Sequence, residues 1–506
     1  MSPTHPAKPV VLTIAGSDCA GMAGVQMDIR TLAAMGVHGA TAITANTAQN
    51  NREVLAIHPV DSEVLADQLR AVAAMPVAAI KVGLIPGREQ LTVICNFVKN
   101  SSAVERRGEI KNCGAPLVLD PVLAGSCGDT LTESDLTASL RSELLPLCTL
   151  ITPNRQEAEL LSGQPIRNSD DAEAAARALL ATGVKAVLLK GGHGDGPLSQ
   201  DFFCSKEHTF WLTSPRRTTD HSRGTGCALS SAIAAALARG YALADAVVIG
   251  KMAINQGLRQ GYGIAGDSGP VTIEHFPNRQ EDLPLLTRSA DMNPEPPASP
   301  PCADSPLGLY PIVDRAEWLA RLLPTGISTA QLRVKDLEGE ALKREITAAI
   351  ELCRRYDCRL FINDHWQLAV ELGAYGVHLG QEDLDEADIE TIRDAGLRLG
   401  ISSHCHYEVA RAHSFNPSYI ACGPIYHTTT KDMPWTPQGP AGLSYWQDML
   451  DYPLVAIGGI NRERLPAIAA TGVSGVAMIT SITLADDPEQ TAGEFQQMLR
   501  NNRSQS

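Results

Sequence analysis

Short polar groups that could hold a metal ion follow two β-branched runs in the second half of the sequence. Asn363 and Asp364 close one run, and Asp383 lies just past the next. Two carboxylates from neighbouring strand ends repel each other unless a cation separates them. Oxygen ligands without His or Cys are typical of Mg²⁺ rather than zinc. These residues therefore predict a Mg²⁺ site.

A group of cations stands just before that acidic pair. Gln331, Arg333 and Lys335 alternate at the end of another run, so their side chains share one face of a strand end. Two neighbouring cations suit an anionic ligand, although solvated charges on a loop would produce the same pattern. A diphosphate held by Mg²⁺, Arg and Lys is the chemistry that these residues favour.

The elements that would position these groups are eight short apolar runs between residues 309 and 480. They read LYPIVD, TAQLRV, RLFIND, GVHLG, RLGISS, YIACGP, LVAIGG and GVAMIT. Most end on polar or glycine residues, which predicts a C-terminal (β/α)8 TIM barrel whose strand ends carry the chemistry. Across the mouth, donor-rich or glycine-rich strand ends could bind a phosphate: Thr428, Thr429, Thr430, Lys431, Gly459, Ile479 and Thr480. A polar surface loop remains the alternative for GPIYHTTTK.

The His404-Cys405-His406 triplet resembles a metal motif. Alternating residues at one strand end supply only two ligands on the same face, so a metal site is not favoured there.

The first half alternates strand-like runs with helical patterns, which predicts α/β architecture around a largely parallel sheet. Three polar clusters follow its strands. The first, GSDCAGMAGVQMD, is a glycine-rich turn that leads to Asp28 and that could equally be a tight connection. The second, ITPNRQEAEL, places Asn154 and Glu157 three apart, either to support Mg²⁺ or to cap a helix.

The third cluster, SRGTGCALSSAIAAALARG, carries the most specific signal. Gly224, Thr225 and Gly226 begin an alanine-rich helix and leave backbone N–H groups free for a phosphoryl group. Cys227 lies at the helix N-terminus, where we expect a lowered thiol pKa and a base for a hydroxyl nucleophile. The alternative is a small buried cysteine that packs at the helix cap.

The length, composition and charge of the sequence indicate what kind of protein to expect. The 506 residues exceed one ordinary core, and 44% hydrophobic with 20% charged residues indicate folded domains. The net charge of −15 argues against a nucleic-acid partner. The N-terminus lacks a secretory pattern and no apolar run approaches membrane length, so we expect a cytoplasmic protein with its 12 cysteines mostly as free thiols.

A proline-rich stretch marks the expected boundary between two domains. DMNPEPPASPPCADSP occupies residues 291–306 and favours a flexible or semi-rigid tether, with an extended segment packed on a surface as the alternative. We place one domain at 8–285, a linker at 286–306 and the barrel at 307–500.

The first half resembles the ribokinase-like vitamin kinases, above all hydroxymethylpyrimidine/phosphomethylpyrimidine kinase. The resemblance rests on LTIAGSD, AGVQMDIRT, ITANTAQN, IKVGLI, VLDPV, LITPNRQEAELL, LLKGGH and GTGCALS. It implies an α/β/α sandwich in which Asp28 and Gln49 hold an aminopyrimidine, Asn154 and Glu157 support Mg²⁺, and Lys190 neutralises ATP phosphates. Cys227 distinguishes these kinases from sugar kinases. Met22 and Arg223 depart from the usual pattern.

The second half resembles thiamine phosphate synthase through QLRVK, FIND, VHLGQED, GPIYHTTTK and IGGI. The resemblance implies that Asp364 and Asp383 bind Mg²⁺ and that Ser402 supports the pyrimidine. The other implied ligands of the pyrimidine diphosphate and the thiazole phosphate lie at strand ends: Gln331, Arg333, Val334, Lys335, Asn363, Lys431, Thr428, Thr429, Thr430, Gly459, Ile479 and Thr480. Val334 stands where an acidic residue is common, and Thr480 where Ser is common.

Together the resemblances imply a homo-oligomeric enzyme of thiamine biosynthesis that uses ATP and Mg²⁺. One half would phosphorylate 4-amino-5-hydroxymethyl-2-methylpyrimidine twice, and the other would condense the diphosphate with 4-methyl-5-(2-phosphooxyethyl)thiazole. Two alternatives stay open: a pyridoxal-type kinase in the first half, and a catalytically silent sensor of thiamine precursors.

Overall fold

The computed structural model divides the chain into two compact units. One comprises Met1–Pro277 with Glu281–Pro294, and the other comprises Asn278–Gln280 with Glu295–Ser506. The structure describes residues 7–51, 53–103, 114–123, 136–192, 196–264, 267–291, 296–302, 305–428 and 435–503.

The first unit is built on a mixed sheet of ten strands among its described residues, in the order β10-β9-β8-β7-β6-β5-β4-β1-β2-β3. Its centre is parallel, as the alternating pattern predicts, while β3, β8, β9 and β10 pair antiparallel at the two edges. The strands are β1 (Val10–Asp18), β2 (His38–Gln49), β3 (Val54–Pro59), β4 (Val77–Val82), β5 (Leu117–Leu119), β6 (Leu150–Ile151), β7 (Ala186–Leu189), β8 (Leu198–Ser205), β9 (Thr209–Pro215) and β10 (Leu285–Thr287).

Helices connect these strands, and two of them are almost wholly buried. Gly250 lets α8 approach α7 so closely that a Cβ at this position would lie 2.5 Å from Ile233 Cγ1. The helices are α1 (Gly24–Ala34), α2 (Ser62–Val72), α3 (Arg88–Ala103), α4 (Leu136–Ser139), α5 (Arg155–Ser162), α6 (Ser169–Leu180), α7 (Thr225–Ala238) and α8 (Leu243–Arg259).

The second unit is a closed barrel of eight parallel strands, which confirms the predicted TIM barrel. Each of the eight apolar runs forms one strand. They are β11 (Gly308–Val313), β12 (Thr329–Leu332), β13 (Arg359–Asn363), β14 (Gly376–Leu379), β15 (Arg398–Ser403), β16 (Tyr419–Cys422), β17 (Leu454–Ile457) and β18 (Gly475–Met478).

Helices follow the barrel strands, and aromatic rings fill part of the interior. Tyr310, Phe361 and Tyr419 are buried together in the barrel core. The helices are α9 (Ala316–Leu322), α10 (Gly339–Arg355), α11 (Trp366–Leu372), α12 (Ile389–Asp394), α13 (His406–His413), α14 (Gly439–Met449), α15 (Leu465–Ala469), α16 (Thr480–Thr483) and α17 (Pro488–Arg503).

The predicted linker needs two corrections. Its first residues, 286 and 287, belong to β10, which pairs with β9. Further along, Ser299 N–H donates to Asn416 O at 2.9 Å, and Ser418 Oγ donates to Pro300 O at 2.6 Å. These polar contacts hold the described part of the segment against the second unit, so the packed alternative describes it better than a free tether.

No helix in the described part of the chain combines the length and the apolar character needed to cross a membrane.

Two glycine-to-alanine substitutions should change stability in opposite directions. Alanine favours a helix over glycine by about 1 kcal/mol, and a Cβ at Gly493 in α17 would meet nothing within 4 Å. Gly493→Ala should therefore stabilise α17. Gly250→Ala should destabilise α8, because overpacking costs about 1–3 kcal/mol. Hydrogen-exchange mass spectrometry of α8 and α17 peptides measures both, and a stabilised α8 would contradict the packing argument.

Candidate active sites

In the first unit, the N-terminus of α7 lies beside two charged strand ends. Gly224 precedes the helix with φ of 78°, a conformation that favours glycine. A Cβ at Gly226 would lie 3.2 Å from Asp120 Oδ2 and 3.4 Å from Lys190 Nζ. Asp120 follows β5 and Lys190 follows β7. The helix start predicted to bind a phosphoryl group therefore meets both an acid and a cation.

Lys190 is held by the two acids around it. Its Nζ lies 2.8 Å from Asp120 Oδ1 and 3.9 Å from Glu157 Oε2. Burial lowers the pKa of Lys190, but these carboxylates outweigh burial and leave the pKa raised. Burial raises the pKa of Glu157, against the attraction of Lys190. Lys190 is thus a permanent cation beside the α7 N-terminus, as neutralisation of phosphate requires.

Asn154 and Glu157 form a helix cap. Asn154 Oδ1 accepts from Glu157 N at 2.9 Å, and Glu157 Oε2 accepts from Asn154 N at 2.7 Å. This reciprocal capping box opens α5. The structure shows the helix cap that was the alternative for this pair, and support of Mg²⁺ by Asn154 and Glu157 stays a prediction. Within the described residues, no group of three or more His, Cys, Asp or Glu is arranged to hold a metal ion.

Asp28 lies under the site rather than in it. Its side chain is fully buried and accepts from Thr13 Oγ1 at 2.6 Å and Ser231 Oγ at 2.9 Å. Lys81 Nζ, also fully buried, completes the set at 2.8 Å. With its oxygens so engaged, Asp28 has no exposed atom for an aminopyrimidine, which corrects the predicted contact. Its role here is to neutralise Lys81.

The expected lowering of the Cys227 pKa is wrong. Burial raises the pKa of this thiol to about 11, although the charge of Lys81 and a hydrogen bond with the Gly24 backbone oppose the rise. A helix N-terminus favours a thiolate only when desolvation is small. Cys227 does lie at the predicted place, at the start of α7.

The glycine-rich turn is organised by its own aspartate. Asp18 carboxylate oxygens accept from the N–H groups of Ala20, Met22 and Ala23 at 2.8–2.9 Å. Gln49 ends β2 in a half-buried position. The unusual Arg223 donates to Asn50 O at 2.8 Å and so joins the α7 loop to the end of β2.

In the barrel, the two predicted Mg²⁺ ligands lie together at the mouth. Burial and the neighbouring Asp364 raise the pKa of Asp383. Asp383 Oδ2 accepts from Gly380 N at 2.9 Å, and Lys335 forms an ion pair with Asp364. Asp364 has a φ of 61°, which is rare outside glycine and frequent at functional sites. Each carboxylate disfavours the ionised form of the other, and a bound cation would offset this repulsion. The pair therefore fits a cation site.

The pyrimidine-diphosphate candidates have different exposures. Gln331 and Asn363 are 3% and 7% exposed on the barrel interior. The Arg333 side chain is half-buried, and its guanidinium forms no ion pair with any described residue. Val334 is only 2% exposed, so its side chain belongs to the core, and a contact with the ligand stays a prediction for its backbone alone.

Ser402 rests on a buried histidine that sequence reasoning missed. Its Oγ lies 2.8 Å from His378 Nε2. Burial lowers the pKa of His378 to about 4, so the imidazole is neutral at pH 7. His378 was visible within VHLGQED, but its apolar neighbours gave no sign that it faces the interior.

The predicted phosphate side is described in part. Gly459 has a φ of 63°, and its Cβ would lie 2.5 Å from His427 O. Ser481 Oγ donates to Ile460 O at 2.7 Å, which brings the β17 loop to the start of α16 near Ile479 and Thr480. Thr428 precedes the undescribed segment. Thr429, Thr430 and Lys431 lie outside the described residues.

His404 and His406 have separate partners. His404 Nδ1 lies 2.6 Å from Glu408 Oε2 and its ring stacks on Trp435. His406 Nε2 lies 3.1 Å from Tyr445 Oη.

Comparisons with known proteins assign both units. Residues 18–272 match the family model for phosphomethylpyrimidine kinase, and residues 309–482 match that for thiamine monophosphate synthase. The Yersinia pestis thiamine-phosphate synthase is 52% identical over 200 residues, which cover 39% of this chain and 93% of that protein. The Photorhabdus laumondii synthase is 54% identical over 190 residues, 37% of this chain and 88% of that protein. The chain belongs to both families.

Two solved structures are similar to the first unit. A phosphomethylpyrimidine kinase from Clostridium difficile is 35% identical and covers 49% of this chain and 98% of its own, with a TM-score of 0.42. A pyridoxal kinase from Bacillus subtilis in complex with ADP is 28% identical and covers 53% and 97%, with a TM-score of 0.47. The two family assignments make the chain a bifunctional enzyme of thiamine biosynthesis, with a kinase unit and a synthase barrel.

Sequence reasoning also missed Lys81 and Asp120. Both stand in quoted motifs, IKVGLI and VLDPV, at or just past strand ends. A charged residue inside or directly after a buried apolar run was the available signal.

The cap at α5 can be separated from a metal role by two substitutions. Asn154→Ala should lower the free energy of unfolding by about 1 kcal/mol through loss of the cap. Asn154→Ser should stay close to wild type, because serine is also a good N-cap. Urea unfolding, with the Mg²⁺ dependence of kinase activity measured beside it, checks this. If both variants needed more Mg²⁺ than wild type, Asn154 would be a metal ligand after all.

Proposed function

We propose that the enzyme converts 4-amino-5-hydroxymethyl-2-methylpyrimidine and 4-methyl-5-(2-phosphooxyethyl)thiazole into thiamine phosphate. The kinase unit would use ATP twice to form the pyrimidine diphosphate, and the barrel would condense that diphosphate with the thiazole phosphate and release pyrophosphate. The observation that carries this proposal is the presence, in one chain, of two families whose reactions share the pyrimidine phosphate.

In the kinase unit, the chain's own groups would bind and orient the phosphates. The backbone N–H groups at Gly224, Thr225 and Gly226 and the ammonium of Lys190 would hold the triphosphate of ATP. Glu157 and Asp120 would support Mg²⁺ there, because each keeps carboxylate oxygens near Lys190, and Asn154 would assist from the start of α5. Bound Mg²⁺ would neutralise charge on the transferred phosphoryl group. Gln49 would contact the pyrimidine at the end of β2.

Cys227 is the candidate acceptor of the hydroxymethyl proton. Because burial raises the pKa of this thiol, a thiolate must be stabilised by a nearby cation. Lys81 is that buried cation, and its charge opposes the rise in pKa. The first phosphorylation uses a hydroxyl whose proton must leave. In the second, the nucleophile is a phosphate oxygen that is largely ionised at neutral pH, because the second pKa of a phosphate ester is about 6. The two steps should therefore depend on Cys227 differently.

In the barrel, the chemistry is departure of pyrophosphate without a protein nucleophile. Asp364 and Asp383 would hold Mg²⁺, which would neutralise negative charge on the departing pyrophosphate. Arg333, Lys335 and Lys431 would stabilise the same charge, with Asn363 beside them. The 4-amino group donates electrons to a pyrimidinylmethyl cation, and the thiazole nitrogen attacks it. The thiazole phosphate would lie against Thr428, Thr430, Gly459, Ile479 and Thr480.

The chain is further proposed to be a cytoplasmic homo-oligomer with small-molecule partners and neither nucleic acid nor membrane as ligand. Its kinase domain would begin near residue 8 and its barrel domain near 307, with the strand at 285–287 counted in the kinase.

The direct test supplies the full-length enzyme with the pyrimidine alcohol, ATP, Mg²⁺ and the thiazole phosphate. Mass spectrometry should detect thiamine phosphate and pyrophosphate. Faster ATP turnover on pyridoxal than on the pyrimidine would favour a pyridoxal-type kinase, and no turnover on any substrate would favour a silent sensor.

Asp383→Asn should stop the condensation alone. Removing one carboxylate from the cation site should lower the condensation rate by about 100-fold or more, while both phosphorylations continue and the pyrimidine diphosphate accumulates. The matched control is Asp385→Asn, which removes a nearby carboxylate that pairs with Arg411. Parallel assays of the two activities decide, and a normal condensation rate in Asp383→Asn would reject the assignment.

Cys227→Ala should slow the first phosphorylation more than the second. General-base help is worth about 100-fold or more in rate, and the ionised phosphate of the second step needs little of it. Single-turnover rates from the alcohol and from the monophosphate measure the two steps separately. Equal losses in both steps would identify Cys227 as a packing residue of the α7 N-terminus.

A further inference from the structure

A chain of four side-chain contacts, three buried and one partly buried, links two of the candidate pyrimidine ligands inside the barrel. Gln331 Nε2 lies 3.5 Å from Tyr310 Oη, and Tyr310 Oη lies 2.9 Å from Tyr419 Oη. Tyr419 Oη lies 2.7 Å from His378 Nδ1, and His378 Nε2 lies 2.8 Å from Ser402 Oγ. We call these five residues the tyrosine relay. Its two ends are Gln331 and Ser402.

The barrel sequence makes room for this relay. His378 on β14, Gly400 on β15 and Tyr419 on β16 are register partners across three adjacent strands. A Cβ at Gly400 would lie 2.1 Å from Tyr419 Cζ and 2.4 Å from its Oη. Only glycine at this position lets the phenol cross β15 and reach His378. Tyr310 and Tyr419 are 1% and 0% exposed, so water does not compete for their hydroxyls.

The direction of the protons in the relay follows from its ends. The amide nitrogen of Gln331 can only donate, so Tyr310 Oη accepts from it. If Tyr310 then donates to Tyr419, and Tyr419 donates to His378 Nδ1, each hydroxyl proton has an acceptor. In the reverse direction, the Tyr310 proton would have no acceptor among the described residues, at a cost of about 1–3 kcal/mol.

The order of donors and acceptors continues from His378 to Ser402. In this direction Nδ1 accepts from the Tyr419 hydroxyl, so the imidazole carries its proton on Nε2. The Nε2–H group therefore donates to Ser402 Oγ, and the serine proton is left to donate elsewhere.

We propose that Tyr310, Tyr419 and His378 are positioning residues that fix Ser402 as a hydrogen-bond donor and turn the amide oxygen of Gln331 toward the substrate. An aminopyrimidine offers ring nitrogens that accept and an amino group that donates. The relay would therefore hold Ser402 as a donor and the Gln331 amide oxygen as an acceptor before the substrate binds. This inference rests on the proposed function of the barrel.

The test compares two Tyr→Phe substitutions in the full-length enzyme. Tyr419→Phe removes the central hydroxyl of the relay and keeps the ring. Tyr452→Phe is the matched control, because Tyr452 Oη lies 2.8 Å from His413 Nδ1 in a partly buried pair outside the relay. Tyr419→Phe should raise the KM for the pyrimidine diphosphate about tenfold, near the loss of one hydrogen bond, with a smaller change in kcat. Tyr452→Phe should leave both constants within about twofold.

The proton position is read independently of activity. In enzyme labelled with ¹⁵N-histidine, the His378 resonances are assigned by their loss in His378→Gln. Wild-type enzyme and Tyr452→Phe should show the Nε2–H tautomer at His378, and Tyr419→Phe should shift it toward Nδ1–H. An Nδ1–H tautomer in the wild type would overturn the proposed direction, and an unchanged KM in Tyr419→Phe would overturn the positioning role. Wild-type enzyme with the Nε2–H tautomer but no condensation would refute the proposed function and leave the proton assignment standing.

Discussion

Pairing of a lysine near the end of a parallel strand with an aspartate is the interaction on which both sites depend. Burying a lone charge costs several kcal/mol, so a charged group near a strand end persists only beside an opposite one. Lys81 pairs with Asp28, Lys190 with Asp120, and Lys335 with Asp364. These pairs let a parallel sheet and a closed barrel carry cations and acids at the edge where their polar side chains meet.

The three pairs differ in burial, and burial sorts their roles. Lys81 and Asp28 are both fully buried, so their charges act on the site through space, as the effect on the Cys227 pKa shows. The side chain of Lys190 is 15% exposed and that of Lys335 is 53% exposed. Lys335 can leave Asp364, which is 21% exposed, for a phosphate without leaving a buried charge unpaired, whereas Asp120 is only 3% exposed and needs Lys190 to stay close. A fully buried pair is therefore suited to shift the pKa of a neighbouring group. A more exposed pair is suited to exchange its aspartate for a substrate phosphate.

Much of the fold could be predicted because strand periodicity and strand-end chemistry are local. All eight barrel runs and the α7 N-terminus are where the sequence places them, and Asp364 and Asp383 do come together. The errors have a different origin. The Cys227 pKa and the burial of Asp28 depend on how much solvent each group loses. Desolvation is set by residues distant in sequence, such as Lys81 for Asp28, so no local motif reports it.

The barrel shows a second way to order polar groups without adding charge. A neutral chain of hydroxyl, imidazole and amide groups can lie in the interior because each donor meets an acceptor, whereas another ion pair there would have to overcome desolvation. The cations and carboxylates lie at the mouth, where they can bind a diphosphate. The neutral groups lie below them, where hydrogen bonds can orient a pyrimidine ring without adding charge. Gly400 makes this division possible. Any side chain there would push the Tyr419 hydroxyl away from His378, leave buried polar atoms unpaired, and free Ser402 to rotate, although no charged group had moved.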